Sequence, residues 1–228
     1  MRSRLWRGVA AVGVALAALG SGAARAAEVS GVPTYRPAGS APFSRIESPA
    51  LLEGLGIPLV FTAKFPDRAK AAVFALPALA DPRFVPQLRR YLAGGGRALI
   101  TARLAARLGR LPAEYADRVY VLRLPERGQG LASLPQDTVD ESRNFLLFPL
   151  GLNIQAPPRV RVRLLGRNQI QVENCNPWAA GVRIAFHTDR WPRATVLRTE
   201  DGAVPVHLNL AAFQVPPRSA RVLRMARG

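Results

Sequence analysis

"RRYLAGGGRALIT", residues 89–101, decides how this chain is built. Three consecutive glycines beside arginines have the composition of a phosphate-cradling loop, but their order argues otherwise. The residues ahead of them, Phe84, Val85, Leu88, Tyr91 and Leu92, follow the i, i+1, i+4, i+7, i+8 stripe of a helix packed on a sheet. The residues after them, "RALIT", are a strand. Phosphate loops run from strand to glycines to helix, because a helix N-terminus supplies free N–H groups and the positive end of the dipole. Here the glycines follow a helix, where carbonyls point outward and the dipole end is negative. They read as a helix stop, with glycine in the left-handed conformation and Arg89 and Arg90 in the last turns, where cations suit the dipole.

Working outward, Asp81 is placed to cap this helix, with Pro82 at its first position and Pro86 distorting its first turn. Upstream, "IPLVFT" (57–62) and "AAVFALP" (71–77) are apolar enough for buried strands of a parallel sheet. Val32 to Arg36 is an opening strand and "PAGSAPFS" a loop. A short helix then ends at Gly54 or Gly56; it starts either at a Ser44–Glu47 capping box or at Ser48 followed by Pro49. Downstream, Thr101 caps a helix carrying Leu104 and Leu108 and closed by Gly109, and "DRVYVLRL" (117–124) is a further strand.

Past residue 155 the period becomes two. "RVRVRLLG", "NQIQVENCN" (168–176), "GVRIAFHT" (181–188), "ATVLRT" (194–199), "VPVHLNL" (204–210) and "ARVLRM" (220–225) are separated by turn chemistry in "LGRN", "TEDG" and "VPPRS". About six short strands predict a small antiparallel sandwich. The expected fold class is α/β plus all-β: a Rossmann/flavodoxin-like parallel sheet domain (27–125), a connector (126–157) whose "LLFPLGL" docks on one domain, and a β-sandwich (158–228).

Residues 1–26 read as a secretory signal peptide: Arg2, Arg4 and Arg7, then the apolar run Val9–Leu19, then Ala24-Arg25-Ala26 as a cleavage site. The run is short for a transmembrane helix; an uncleaved anchor is the alternative. The expected location is secreted or periplasmic, with no membrane span after cleavage. The chain has 32 Lys+Arg against 15 Asp+Glu, net +17, and loss of Arg2, Arg4, Arg7 and Arg25 with the leader leaves 28 against 15, net +13. A cationic exported protein is drawn to anionic surfaces, and nucleic acid is not the expected partner there. With one cysteine, Cys175, no internal disulfide is possible.

The stretch "RIESPALLEGLGIPLVFTAKFPDRAKAAVFALPALADPRFVPQLRRYLAGGGRALITARLA" resembles the class I glutamine amidotransferase-like fold. It is most similar to the non-catalytic versions in bacterial glycoside hydrolases, such as the beta-galactosidase trimerisation domain. The shared features are a helix ending in "GLGIPL", the strand "AAVFALPAL", the Asp-Pro helix ending "YLAGGG" and the strand "RALIT". The tail from "VRVRLLGRNQIQVENCNPWAAGVRIAF" to "VPPRSARVLRM" resembles the C-terminal β-sandwiches of many glycosidases. The resemblance implies a Rossmann-like sheet acting as a companion domain. An active amidotransferase needs a cysteine on a strand-to-helix turn and a histidine to take its proton; after "RALIT" this chain has Ala102 and Arg103. Cys175, His187 and His207 all lie in the second half, and a glycosidase barrel with paired carboxylates does not fit this length.

Several residues are candidate sites. Arg159, Arg161 and Arg163 alternate along one strand and are expected on one face, roughly 6.6 Å apart, as a polyanion-binding stripe extended by Arg167, or as the wet face of a sheet. Trp178 and Trp191, near turns, are candidates for glycan stacking, or for packing against the core. Asp137, Asp140 and Glu141 lack the spacing of a calcium loop, and His187 and His207 lack a third ligand, so no metal or other cofactor is expected. Cys175 is either a small apolar residue at a strand end or an intermolecular bridge. The loops "RPAGSAPFS" and "ALPALADP" follow the first and third strands, where ligands gather in open α/β sheets; Ser40 and Ser44 are hydroxyls there, without a histidine in this half to activate them.

The expected function is that of an exported, carbohydrate-associated accessory protein, without catalysis, acting by binding or assembly with a glycan, an anionic envelope polymer or a protein partner. The alternative is a hydrolase or transferase of the amidotransferase-like or glycosidase-associated class with a degenerate site.

Overall fold

The computed structural model describes residues 29–42, 52–124, 133–166, 168–187 and 196–226. The first strand, β1 (Val29–Ser30), is separated by Gly31 alone from β2 (Val32–Tyr35). Then come β3 (Leu59–Thr62), β4 (Ala71–Phe74), helix α1 (Phe84–Ala93), β5 (Arg97–Thr101), helix α2 (Ala102–Leu108) and β6 (Val119–Leu122). Strands β2 to β6 form one parallel sheet in the order β3-β2-β4-β5-β6. This is the flavodoxin-like order, in which the winding reverses between the first and third strands of the sheet, here β2 and β4.

Local chemistry explains these elements. Helix α1 buries Phe84, Leu88, Tyr91 and Leu92, and its exit is the glycine stop: Gly95 sits at φ +88°. Gly96 is needed for space, since a Cβ there would come within 2.4 Å of the Tyr91 ring. Arg97 N donates to Lys70 O, which sets the register of β5 on β4. The start of α1 differs from expectation. Asp81 Oδ1 accepts from Arg83 N at 2.9 Å in a turn ahead of the helix, which begins at Phe84 instead of Pro82. Pro86 therefore falls in the first turn, where an N–H has no helical acceptor to lose. Thr101 caps α2 by accepting from Leu104 N at 3.4 Å, and Gly109 ends it at φ +71°.

The second half is antiparallel: β7 (Leu152–Gln155), β8 (Val160–Leu165), β9 (Gln169–Asn174), β10 (Ala180–Phe186), β11 (Val196–Thr199), β12 (Gly202–His207), β13 (Leu210–Val215) and β14 (Ser219–Ala226). With β1 they make one sheet, β1-β8-β9-β14-β11-β12-β13-β10-β7. It curls on itself at β12, whose first residues pair with β11 and whose last pair with β13, giving a sandwich of two leaves.

Two elements were not expected. The stretch "VPVHLNL" is not one strand: it turns at Leu208 and Asn209, both at positive φ (+48° and +63°), and continues as β13. The stretch read as a connector contains helix α3 (Gln136–Leu147). Its buried positions, Val139, Ser142, Arg143, Leu146 and Leu147, keep the i, i+3, i+4, i+7, i+8 stripe of a packed helix. Serine and arginine occupy the middle of that stripe and hide it from a hydrophobicity reading.

One apolar cluster runs from the near face of the parallel sheet (Val32, Ile57, Val73, Leu99, Leu122) through α3 into the sandwich (Val162, Val172, Ile184, Leu223). A second covers the far face of the parallel sheet with Phe74, Phe84, Leu88, Leu92 and Ile100. The two halves therefore share a core.

Candidate functional site

The arginine stripe is only partly a stripe. Arg159 lies off the strand at φ +65°, with its N–H on Gly54 O (2.8 Å) and its carbonyl accepting from Cys175 N (3.0 Å). Its backbone ties the two halves together, and its side chain is exposed ahead of buried Val160. Arg161 and Arg163 point outward from β8. Arg161 pairs with Glu173 across the strands at 3.8 Å. Arg163 lies opposite Gln171, which lies opposite Val222, and in the next row out Gln169 is opposite Arg224 and Arg224 opposite Arg198. One face of this leaf thus presents Arg161, Arg163, Arg224 and Arg198, and among the described residues no carboxylate pairs with the last three. Arg198 and Arg224 carry no motif and were not singled out from sequence; their partnership depends on the β11–β14 register. Arg167 lies outside the described residues.

Trp178 is 56% exposed. It sits in the β9–β10 loop, which buried Asn174 organises by donating from Nδ2 to the carbonyls of Trp178 (2.7 Å), Val215 (3.0 Å) and Pro216 (3.0 Å). Asn174 Oδ1 accepts from Asn176 N, and Asn176 Nδ2 donates to Pro158 O. The indole is thus carried on a rigid loop. Trp191 lies outside the described residues.

The other candidates are not brought together. Asp140 pairs with Arg143 at 3.1 Å, Glu141 accepts from Tyr120 Oη at 3.3 Å, and Asp137 lies in the first turn of α3. The His187 ring lies 5.8 Å from that of Phe148, while His207 is opposite Leu210 across the β12–β13 ladder. Among the described residues no group of three or more His, Cys, Asp or Glu is placed to hold a metal. Cys175 is half-buried, and burial, then Glu173, hold its thiol above the ordinary range, so it is not an activated thiolate. Ser40 Oγ is buried without a hydrogen-bond partner, and Ser44 lies outside the described residues.

At the β2/β4 reversal, where the loops after the first and third sheet strands were expected to gather ligands, lies a cleft of about 760 Å³ lined by Tyr35, Phe65, Asp67, Asp81, Gln87 and Arg90 among others; none of these side chains was singled out for it from sequence. Its floor is an aromatic cluster in which Tyr35 and Phe65 meet edge-to-face at 5.4 Å. Tyr35 Oη donates to Asp81 Oδ2 at 2.8 Å. Burial, then this bond, push the Tyr35 hydroxyl up to about 12. The N–H of Arg83, then the Tyr35 hydroxyl, hold the Asp81 carboxyl below the usual range. The pair stays as phenol and carboxylate at neutral pH, with the carboxylate as a hydrogen-bond acceptor. A ligand crevice outside the carboxyl ends of such strands follows from the strand order; the Tyr35–Asp81 pairing within it comes from the structure.

No protein-family model matches the sequence, and no curated protein does. Among solved structures the chain is similar to three glycosidase chains. One is an apo exo-carrageenase of family GH42 from Bacteroides ovatus: 12% identity, 78% of this chain and 26% of that one covered, TM-score 0.40. Another is a GH42 beta-galactosidase: 11% identity, 86% and 40% covered, TM-score 0.44. The third is a rhamnosidase from Novosphingobium: 10% identity, 88% and 23% covered, TM-score 0.40. The chain therefore spans 23% to 40% of the lengths of these proteins.

Proposed function

We propose that this chain is an exported, non-catalytic accessory protein whose sandwich binds anionic envelope polymers through the outer face of the β8-β9-β14-β11 leaf. The observation that carries this reading is the cross-strand pair Arg198 and Arg224, directly opposite each other and without a carboxylate among the described residues. Like charges in that position destabilise a sheet by a few tenths of a kcal/mol, up to about 1. A bound anion relieves that repulsion. Arg163 extends the site, and the net charge, 28 minus 15 or +13 once the leader is lost, draws polyanions toward it. The absence of cysteine and histidine from residues 27–125 supports the non-catalytic part.

The test is retention on a polygalacturonate column over a salt series. Exposed charges are screened beyond about 8 Å at physiological salt, so retention falls steeply with salt. Changing Arg163, Arg198 and Arg224 together to Ser is expected to remove most of that salt dependence. The same change at Arg89, Arg103 and Arg107, on the α/β half, leaves it largely intact. Elution of both triple variants at the same salt overturns the proposal.

A second reading, a hydrolase or transferase with a degenerate site, is favoured by one observation, the Tyr35–Asp81 pair at the β2/β4 reversal. Turnover of a glycoside or amide substrate that Asp81→Asn abolishes, with folding intact, would establish it.

A further inference from the structure

The exposed apolar residues are not scattered evenly. Of the seven large apolar side chains exposed among the described residues, three gather at one end of the sandwich: Leu208 (86% exposed), Phe148 (54%) and Leu210 (42%). Backbone hydrogen bonds hold their segments together. Phe186 N donates to Asn209 O at 2.9 Å and His187 N to Gly151 O at 2.8 Å, while the His187 ring lies against Phe148. The apex is a two-residue hairpin turn closed by His207 and Leu210, with both turn residues at positive φ. Such a turn favours Asn-Gly; here its first position is leucine, strained in backbone and bare in side chain. Neither the shared core nor the arginine face accounts for it.

We propose that this end of the sandwich docks on a lipid bilayer, with Leu208 at the apex and Leu210 and Phe148 beside it entering the boundary between headgroups and acyl chains. Two further observations point to lipid. Residues 1–28, with the apolar run Val9–Leu19, join the fold at Val29, which pairs with Leu165 next to the β8–β9 turn. That turn is at the same end: Met225 N bonds Asn168 O, Ala226 pairs with Val196, and Val196 pairs with Pro205, two residues before His207. On the uncleaved-anchor reading of residues 1–28, this membrane-seeking segment is thus attached where the apex points. In addition, no acidic residue occurs in the described segments 148–153, 186–187 and 204–211, in a chain of net charge +17. Glu200 and Asp201 sit in the turn at the opposite end of β12. An apolar apex whose described residues carry no acid, on a cationic body, suits an anionic bilayer, which takes up amphipathic surfaces to a depth of about 5–10 Å.

The test places an environment-sensitive nitrobenzoxadiazole label on the full chain at Leu208→Cys, in a Cys175→Ser background, with Glu200→Cys as the control. Vesicles are phosphatidylglycerol–phosphatidylethanolamine, with doxyl-labelled lipid as quencher. The label at 208 is expected to shift to the blue on adding vesicles and to be quenched by doxyl lipid, and the label at 200 to do neither. Reading at a single position separates apex insertion from any attachment made by residues 1–28. Unlabelled Leu208→Ser/Leu210→Ser is expected to lower vesicle affinity on the order of a hundredfold if most of both side chains is buried. Equal responses at 208 and 200, or none at 208 in vesicle-bound protein, overturn the proposal. A blue-shifted label at 208 before vesicles are added also overturns it, and assigns the apex to residues 1–28 or to a second copy of the chain.

Discussion

Arg143, in the middle of α3, donates from Nε to the carbonyl of Leu55, 88 positions earlier in the chain. The same fully buried guanidinium also donates to Ala156 O and Pro157 O and pairs with Asp140. Desolvation pushes its pKa down to about 10, with Asp140 opposing the shift. A planar fork with five donors satisfies several carbonyls at once, and these belong to both halves of the fold. Arg143→Leu strands those carbonyls and is expected to lower stability by about 3 kcal/mol, with Arg143→Lys intermediate. Urea unfolding checks this, and the wild type should unfold in one transition. Two separate transitions would show that the halves do not share their core.

Two glycines hold the same seam by their lack of a Cβ. At Gly31 a Cβ would lie 2.2 Å from Pro58 O, and at Gly56, also at φ +77°, 2.8 Å from both Arg143 Nε and Val160 O. Gly109 has a positive φ but nothing within 4 Å. Gly109→Ala is expected to lose about 1 kcal/mol from backbone strain. Gly31→Ala and Gly56→Ala should each lose clearly more, since backbone must move. Equal losses at all three sites would mean that the close approaches are relieved without strain.

Asn174 is the centre of the loop that carries Trp178. Asn174→Asp replaces a donor facing three carbonyls with a second acceptor. It is expected to cost more than Asn174→Ser and to shift the fluorescence of Trp178, read in a Trp6→Phe/Trp191→Phe background. An unchanged spectrum would show that the loop is held by other means.

Alkaline pH acts on Tyr35. Its folded pKa, raised from 10.0 to about 12, lies above the unfolded value, so ionisation favours unfolding. The stabilising contribution is complete below pH 10 and is lost as pH rises toward 12. Burial moves Tyr91 in the same direction. Tyr35→Phe should give a shallower decline of stability across that window. A decline as steep as in the wild type would remove Tyr35 from the account.

Replacing Leu208–Asn209 with Asn–Gly gives the turn the residues its dihedrals favour. It is expected to raise stability by roughly 1 kcal/mol while weakening vesicle binding. A variant that is more stable and binds as before would show that Leu208 serves neither fold nor surface.

Legibility in the sequence followed the chemistry of each element. The α/β order was readable because Phe84, Leu88, Tyr91 and Leu92 keep a clean helical stripe and the glycines after them fix the direction. The sandwich strands were readable from alternation. Helix α3 was not, because its stripe runs through Ser142, whose hydroxyl donates to Val139 O one turn back, and Arg143, whose burial depends on carbonyls supplied by distant residues. The β12–β13 turn was not, because leucine stands where glycine or asparagine normally signals φ > 0. The site was less legible still. Arg161 and Arg163 were visible as an alternation, but Arg198 and Arg224 become neighbours only through strand register; the end of the sheet that holds the cleft was readable, but the contact of Tyr35 with Asp81, 46 positions apart, was not.

The chain is also made in one direction. Val29 pairs with Leu165, Leu55 with Arg143, and Gly54 with Arg159, so the earliest residues wait for partners synthesised much later. Until α3 emerges, the near face of the parallel sheet, with Val32, Val73, Leu99 and Leu122, has no roof. A nascent chain stopped at residue 125 would therefore be a sticky half-product. Exposed apolar surface of that kind is what makes incomplete chains prone to aggregate until the rest of the fold arrives.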